Sequence, residues 1–222
     1  MIRTARAASA SGAVRLVRIG AAAVPSWCIT AALAAAWLVA GPHTADLAAQ
    51  VHRVDLFAGH GFLLWDNSWY DGHHVPGYSL LFPALAALVG PRLLGAAAAV
   101  LSAALFAALL GDRRGTVASR WFAVGCVADL VIGRLTYALG VTAGLAALVA
   151  LARARPVLAG ALAATCAAIS PVAGLFLVLA ATAWAVAERR ADALAVGAIA
   201  AAAVATLSVA FPVGGSQPFS LV

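Results

Sequence analysis

The sequence contains no lysine; all fourteen of its basic residues are arginine. Charged side chains make up only 10% of the chain, where an ordinary soluble domain carries roughly 25%. So little charge cannot clothe a water-facing surface, which excludes a soluble globular domain. Cysteine is also scarce. Cys28, Cys126 and Cys166 lie in three separate apolar runs, with no CxxC pair and no HExxH motif. That pattern excludes a thiolate zinc site or a dithiol redox pair and leaves the thiols as small packing residues. No inverted internal repeat is visible, and Asp129 is the only acid inside an apolar span. Both absences argue against an ion-coupled transporter.

Apolar surface is abundant. Hydrophobic residues are 64% of the chain and the mean hydropathy is +1.00. Runs of about 20 apolar residues recur, the length that crosses a bilayer core of about 30 Å. The expected fold class is therefore all-α, a polytopic transmembrane helical protein. The formal charge of +6 is spread over short loops rather than gathered on one face, so it reads as a topology signal and not a nucleic-acid surface. The arginine and alanine bias suggests a GC-rich bacterial genome, hence a multi-pass protein of the bacterial inner (plasma) membrane surrounded by membrane lipids.

The arginines order the spans. Residues 1–19 form a basic cytoplasmic tail and 20–41 a first span; a cleaved signal peptide is the other reading of this segment, although its usual apolar core is only about 7–15 residues. Residues 42–90 form an extracytoplasmic loop. The six further spans lie within residues 91–212, and 213–222 are an extracytoplasmic tail. Residues 115–155 are basic at both ends and divide into two helices at Gly133-Arg134. Residues 156–190 divide at Ser170-Pro171, with one long helix kinked at Pro171 as the alternative. About seven spans result, in a single membrane domain, with the amino terminus cytoplasmic and the carboxyl terminus outside. Eleven arginines then lie inside, and three, Arg53, Arg92 and Arg134, lie outside, as the positive-inside rule requires.

The first outer loop collects the chemistry. It holds all five histidines (His43, His52, His60, His73, His74) and four of the eight acids (Asp46, Asp55, Asp66, Asp71). Residues 44–58 read as an amphipathic surface helix with Leu47, Val51, Val54 and Ala58 on its apolar face and Thr44 or Asp46 as its cap. Residues 78–90 are too short to span and read as a re-entrant or interfacial helix. Asp46, just beyond the first span, is in position to act as a general base on a sugar hydroxyl. Its competing role is to cap the surface helix.

These residues resemble the GT-C superfamily of polytopic glycosyltransferases. The resemblance rests on Asp46 at the acidic position and on Ala58-Gly59 ending the surface helix. It continues in Trp65, in Tyr70-Asp71-Gly72, and in the segment from His74-Val75-Pro76-Gly77-Tyr78 to Pro83 that opens the short apolar helix. Two features depart from the family. Asp46 is followed by Leu47 where many members have a second acid, and members usually have several hundred residues, so the chain is expected to be a truncated or short member.

The resemblance implies an extracytoplasmic transfer of sugar from a polyprenyl-phosphate donor to a glycan or lipid acceptor, with Asp46 as catalytic base. It implies an acceptor sugar stacked on Trp65, Trp69 or Tyr70, and a lipid phosphate held by His73, His74 and Arg134, with Asp71 and Tyr78 among the substrate-binding residues. A partner subunit would complete the fold. No cofactor is implied with certainty. A divalent metal on His43 and Asp46, or on Asp71, His73 and His74, is the rival reading of the loop. A non-catalytic GT-C-like subunit or scaffold, or a transporter, is the rival reading of the whole chain.

Overall fold

The computed structural model describes residues 24–44, 46–68, 72–111 and 117–212. Among them the chain forms α1 (Ser26–Ala40), α2 (Leu47–His60), α3 (Phe82–Val89), α4 (Pro91–Leu109), α5 (Val117–Ile132), α6 (Leu135–Ala152), α7 (Pro156–Ile169), α8 (Pro171–Glu188) and α9 (Ala191–Ala210). A ribbon of two short strands, β1 (Trp65–Asp66) and β2 (His73–His74), and a 3₁₀ turn at Val75–Gly77 lie between α2 and α3. The fold is all-helical, as the apolar runs require.

Proline sets several helix starts. Pro91, Pro156 and Pro171 each open a helix, where the missing N–H costs nothing and the fixed φ is already helical. The division at Ser170-Pro171 therefore gives two helices, α7 and α8, rather than one kinked helix. Ser170 caps α8 by accepting a hydrogen bond from the Ala173 N–H at 3.3 Å, which makes the break a true helix start.

Helix directions follow from their cross-links. Ser26 and Ser119 share a hydroxyl hydrogen bond of 2.5 Å, and Thr30 donates to the Ala123 carbonyl at 3.0 Å. The offset is constant, so α1 and α5 run parallel. Gly95 lies against Leu135, and Ser102 shares a 2.9 Å hydrogen bond with Thr142, again at a constant offset, so α4 and α6 are parallel too. Gly174 lies against Val204 and Gly197 against Ala181, so α8 and α9 are antiparallel. Polar pairs of this kind hold helices together where water is absent.

The interior is built from small residues. Ala147, Ala159, Ala163, Cys166, Ala167, Ala181, Ala193 and Ala200 are fully buried in the half formed by α6 to α9. A second core under α1 to α5 and the start of α6 includes Ala34, Trp37, Leu47, Phe82, Leu130 and Leu135. Backbones approach closely: a Cβ on Gly140 would stand 2.7 Å from the Ala173 Cβ. Larger apolar side chains such as Leu101, Leu175, Phe176 and Leu179 point outward. This inversion, small inside and large outside, suits a bundle in lipid.

Four helices, α4, α6, α8 and α9, are long and apolar enough to cross a bilayer. Helices α1 and α7 are apolar but have 15 and 14 residues. A helix over the expected residues is present as α2, but its buried face differs from the expected one. Leu47, Gln50 and Val54 are buried, whereas Val51 is 36% exposed and Ala58 is exposed. Gln50 displaces Val51 because its amide finds two partners, so a polar side chain lies inside without an unmet bond. The short apolar helix expected over residues 78–90 is α3, preceded by the 3₁₀ turn.

Candidate functional site

The connections α1–α2, α5–α6 and α7–α8 meet at one end of the bundle, where they are joined by the turn before α3. The α5–α6 turn has the tightest fit. Gly133 takes φ +94°, and a Cβ there would stand 2.5 Å from Thr44 Oγ1 and 2.6 Å from the Leu47 nitrogen. Only glycine meets both demands, positive φ and no side chain. The Asp46 N–H points to the Ile132 carbonyl at 3.4 Å. The chain entering α2 is thus seated on the end of α5.

Asp46 occupies the N-cap position of α2, yet its side chain accepts no hydrogen bond from the helix start, and neither does the Thr44 hydroxyl. The capping role read from the sequence is not what the carboxylate does. Asp46 Oδ2 faces Arg134 Nε at 3.5 Å, with the two side chains 47% and 57% exposed. An ion pair this open contributes little to stability. Both groups remain accessible to a ligand.

They open on a cleft of about 340 Å³ lined by Asp46, Gly77, Tyr78, Arg134, Tyr137, Ser170, Pro171 and Val172. Its lining combines polar side chains with apolar ones, as small-molecule sites do. Three of the residues expected from the sequence, Asp46, Tyr78 and Arg134, are brought together here. Tyr137 and Ser170 were missed. Ser170 drew notice only as a helix break, and nothing local to Tyr137 distinguishes it from an interfacial aromatic.

Tyr78 is fixed from behind. Its hydroxyl accepts a 2.7 Å hydrogen bond from Gln50 Nε2, and Thr136 Oγ1 donates to Gln50 Oε1. The Arg53 guanidinium lies 3.8 Å above the Tyr78 ring, a cation–π contact.

The other expected residues lie elsewhere. Trp65 and His74 pair across the ribbon, and their rings meet edge-on with centroids 4.8 Å apart. His74 Nδ1 lies 2.9 Å from the Pro212 carbonyl, beside Phe211 at the end of α9. The Trp65 indole N–H donates to Asn67 at 2.7 Å, and Gly72 covers part of the ring. None of Trp65, His73 and His74 lines the cleft. Trp69, Tyr70 and Asp71 lie outside the described residues.

Neighbouring positions in a strand point to opposite faces, so His73 and His74 diverge rather than converge on one ion. No group of three His, Cys, Asp or Glu side chains among the described residues is placed to hold a metal.

A second polar cluster locks the ribbon to α2. Asp66, 6% exposed, lies 2.8 Å from His52 Nε2 and accepts from the Ser68 hydroxyl at 2.6 Å and the Ser68 N–H at 2.9 Å. Burial alone would raise this carboxyl. The Ser68 hydroxyl, the His52 ring and the Ser68 N–H outweigh it and hold the group at about 2. Ser68 Oγ also lies 3.3 Å from His52 Nε2. Acid and hydroxyl thus meet the same ring nitrogen, whereas a nucleophilic relay needs them on opposite nitrogens. The trio is a structural clasp.

No family model, curated protein or solved structure matches this chain. The chemistry of the cleft must therefore be argued from its own residues.

Proposed function

We propose that this chain is an integral membrane glycosyltransferase of GT-C type, moving a sugar from a polyprenyl-phosphate donor to an extracytoplasmic glycan or lipid acceptor. The observation that carries the reading is the open Asp46 carboxylate beside Arg134 in the cleft just beyond α1. In this scheme Asp46 takes the proton of an acceptor hydroxyl as its oxygen bonds to the anomeric carbon. The bond from that carbon to the donor phosphate breaks, and its electron pair leaves with the phosphate. Arg134 and the Tyr78 hydroxyl face the departing anion and donate to it.

The same reading gives the chain seven crossings, by α1 and α4 to α9, with the cleft on the outer side. Support comes from the alternating helix directions and from the arginine distribution. Helix α7, at about 21 Å, is shorter than a bilayer core, and its neighbours carry most of the span.

The test is transfer from polyprenyl-phosphate sugars in membranes containing the chain with any subunit that copurifies. Asp46→Asn keeps size but removes the base, and is expected to lower turnover by roughly 100-fold or more. Asp55→Asn, on the exposed face of α2, serves as the control and should match the parent. A folded parent that transfers from no polyprenyl donor would replace the enzyme by a non-catalytic membrane scaffold.

A further inference from the structure

Gln50 is an amide buried to 1% exposure in a helix whose other inward residues are apolar. Its two bonds join three distant elements: α2 itself, Thr136 on α6, and Tyr78 between the 3₁₀ turn and α3. The chemistry of these partners is directional. A threonine hydroxyl can donate or accept, but an amide oxygen only accepts and an amide nitrogen only donates. With Thr136 donating to Oε1, Nε2 is left to donate to the Tyr78 oxygen. The phenol has one proton, and that proton is then free of Gln50. Tyr78 lines the cleft, so its O–H is free to turn toward a ligand there.

We propose that Gln50 is a positioning residue that, through the Thr136–Gln50–Tyr78 chain, makes Tyr78 a hydrogen-bond donor to an anionic or oxygen-bearing ligand in the cleft. The donor role toward a departing phosphate rests on the glycosyltransferase reading above; the direction of the chain does not. A residue serving only to hold three elements together would be satisfied by any side chain of the same shape that bonds both partners. Glutamate distinguishes the two roles. Its neutral acid can still donate to Tyr78, but its carboxylate can only accept, and so turns the phenol proton away from the cleft.

The chain has only three tyrosines, Tyr70, Tyr78 and Tyr137, so ¹³Cζ-tyrosine labelling gives three resonances, with Tyr78 identified by its loss in Tyr78→Phe. Gln50→Leu is expected to move the Tyr78 resonance and leave the other two. Gln50→Glu should make that resonance pH-dependent where the parent's is not. In the transfer assay Gln50→Leu and Tyr78→Phe should each cost about tenfold, the scale of one lost hydrogen bond. The double variant should be no worse than either single one. Gln50→Glu should lose transfer as pH rises, a limb absent from the parent.

A Tyr78 resonance unmoved by Gln50→Leu, or unaffected by pH in a folded Gln50→Glu protein, would overturn the proposal. So would a further tenfold loss in the double variant, since Gln50 would then act independently of Tyr78. If the resonances behave as expected while no polyprenyl donor supports transfer, the positioning holds and the glycosyltransferase reading is what fails.

Discussion

Gly133 and Leu47 are pressed together: a Cβ on the glycine would stand 2.6 Å from the Leu47 amide nitrogen. The contact seats the start of α2 on the α5–α6 turn and so sets the distance between Asp46 and Arg134, one residue away on each side. Gly133→Ala adds both a collision and the strain of positive φ. It is expected to destabilise the protein by about 1–3 kcal/mol and to separate the Asp46–Arg134 pair. Thermal unfolding in detergent checks this, and an unchanged midpoint would show that the turn relaxes freely.

The Asp66 clasp has a defined pH window. Its folded value of about 2 lies below the ordinary 3.8. Stability from this group is therefore fully present above about pH 4 and is lost as pH falls toward 2. Protection of the amides at residues 64–68 and 73–75, taken against the intrinsic exchange rate at each pH, should fall over that window. Ser68→Ala removes both the hydroxyl donor and its share of the lowering, so the pH-dependent loss should be smaller and complete at higher pH. Protection that is flat down to pH 2 would mean that the clasp does not hold the ribbon.

Arg92 ties α4 to the end of α1. Its Nη2 donates to the Gly41 and Pro42 carbonyls at 3.2 and 2.8 Å, and its guanidinium lies 5.2 Å from the Trp37 ring centre. Arg92→Ala leaves two carbonyls without that donor and is expected to cost about 1–3 kcal/mol. Arg92→Lys should recover only part of this, because an ammonium cannot offer the same planar fork. Full recovery by lysine, read from thermal unfolding, would reduce the contact to simple charge.

Sidedness is tested with single cysteines at exposed positions at the two ends of the bundle, His43 and Arg155. An impermeant maleimide should label His43→Cys in intact cells, and Arg155→Cys only after permeabilisation. A reporter fused after Arg190 should likewise be cytoplasmic. Labelling of Arg155→Cys from outside would overturn the proposed seven crossings.

The helices of this protein were legible in the sequence because their causes are local. Apolar runs set their extents, and Pro91, Pro156 and Pro171 mark starts wherever the chain happens to sit in space. The place of Asp46 between the first two helices was legible too, since it is a matter of order along the chain. The burial of Gln50 was not legible. It depends on Tyr78 and Thr136, 28 and 86 residues away, and periodicity assigned that face to Val51 because it assesses a side chain by polarity and not by its partners. The histidines show the converse. Their clustering in one loop suggested a joint site, but strand alternation sends His73 and His74 to opposite faces, and His52 is drawn to Asp66. By itself, the sequence determined the helices, their order and the loop that bears the acids, through hydrophobicity and backbone geometry that act over a few residues. Which polar groups face one cleft, and which merely fasten the loop, was decided only in the tertiary structure, because a buried hydrogen bond depends on where its distant partner lies.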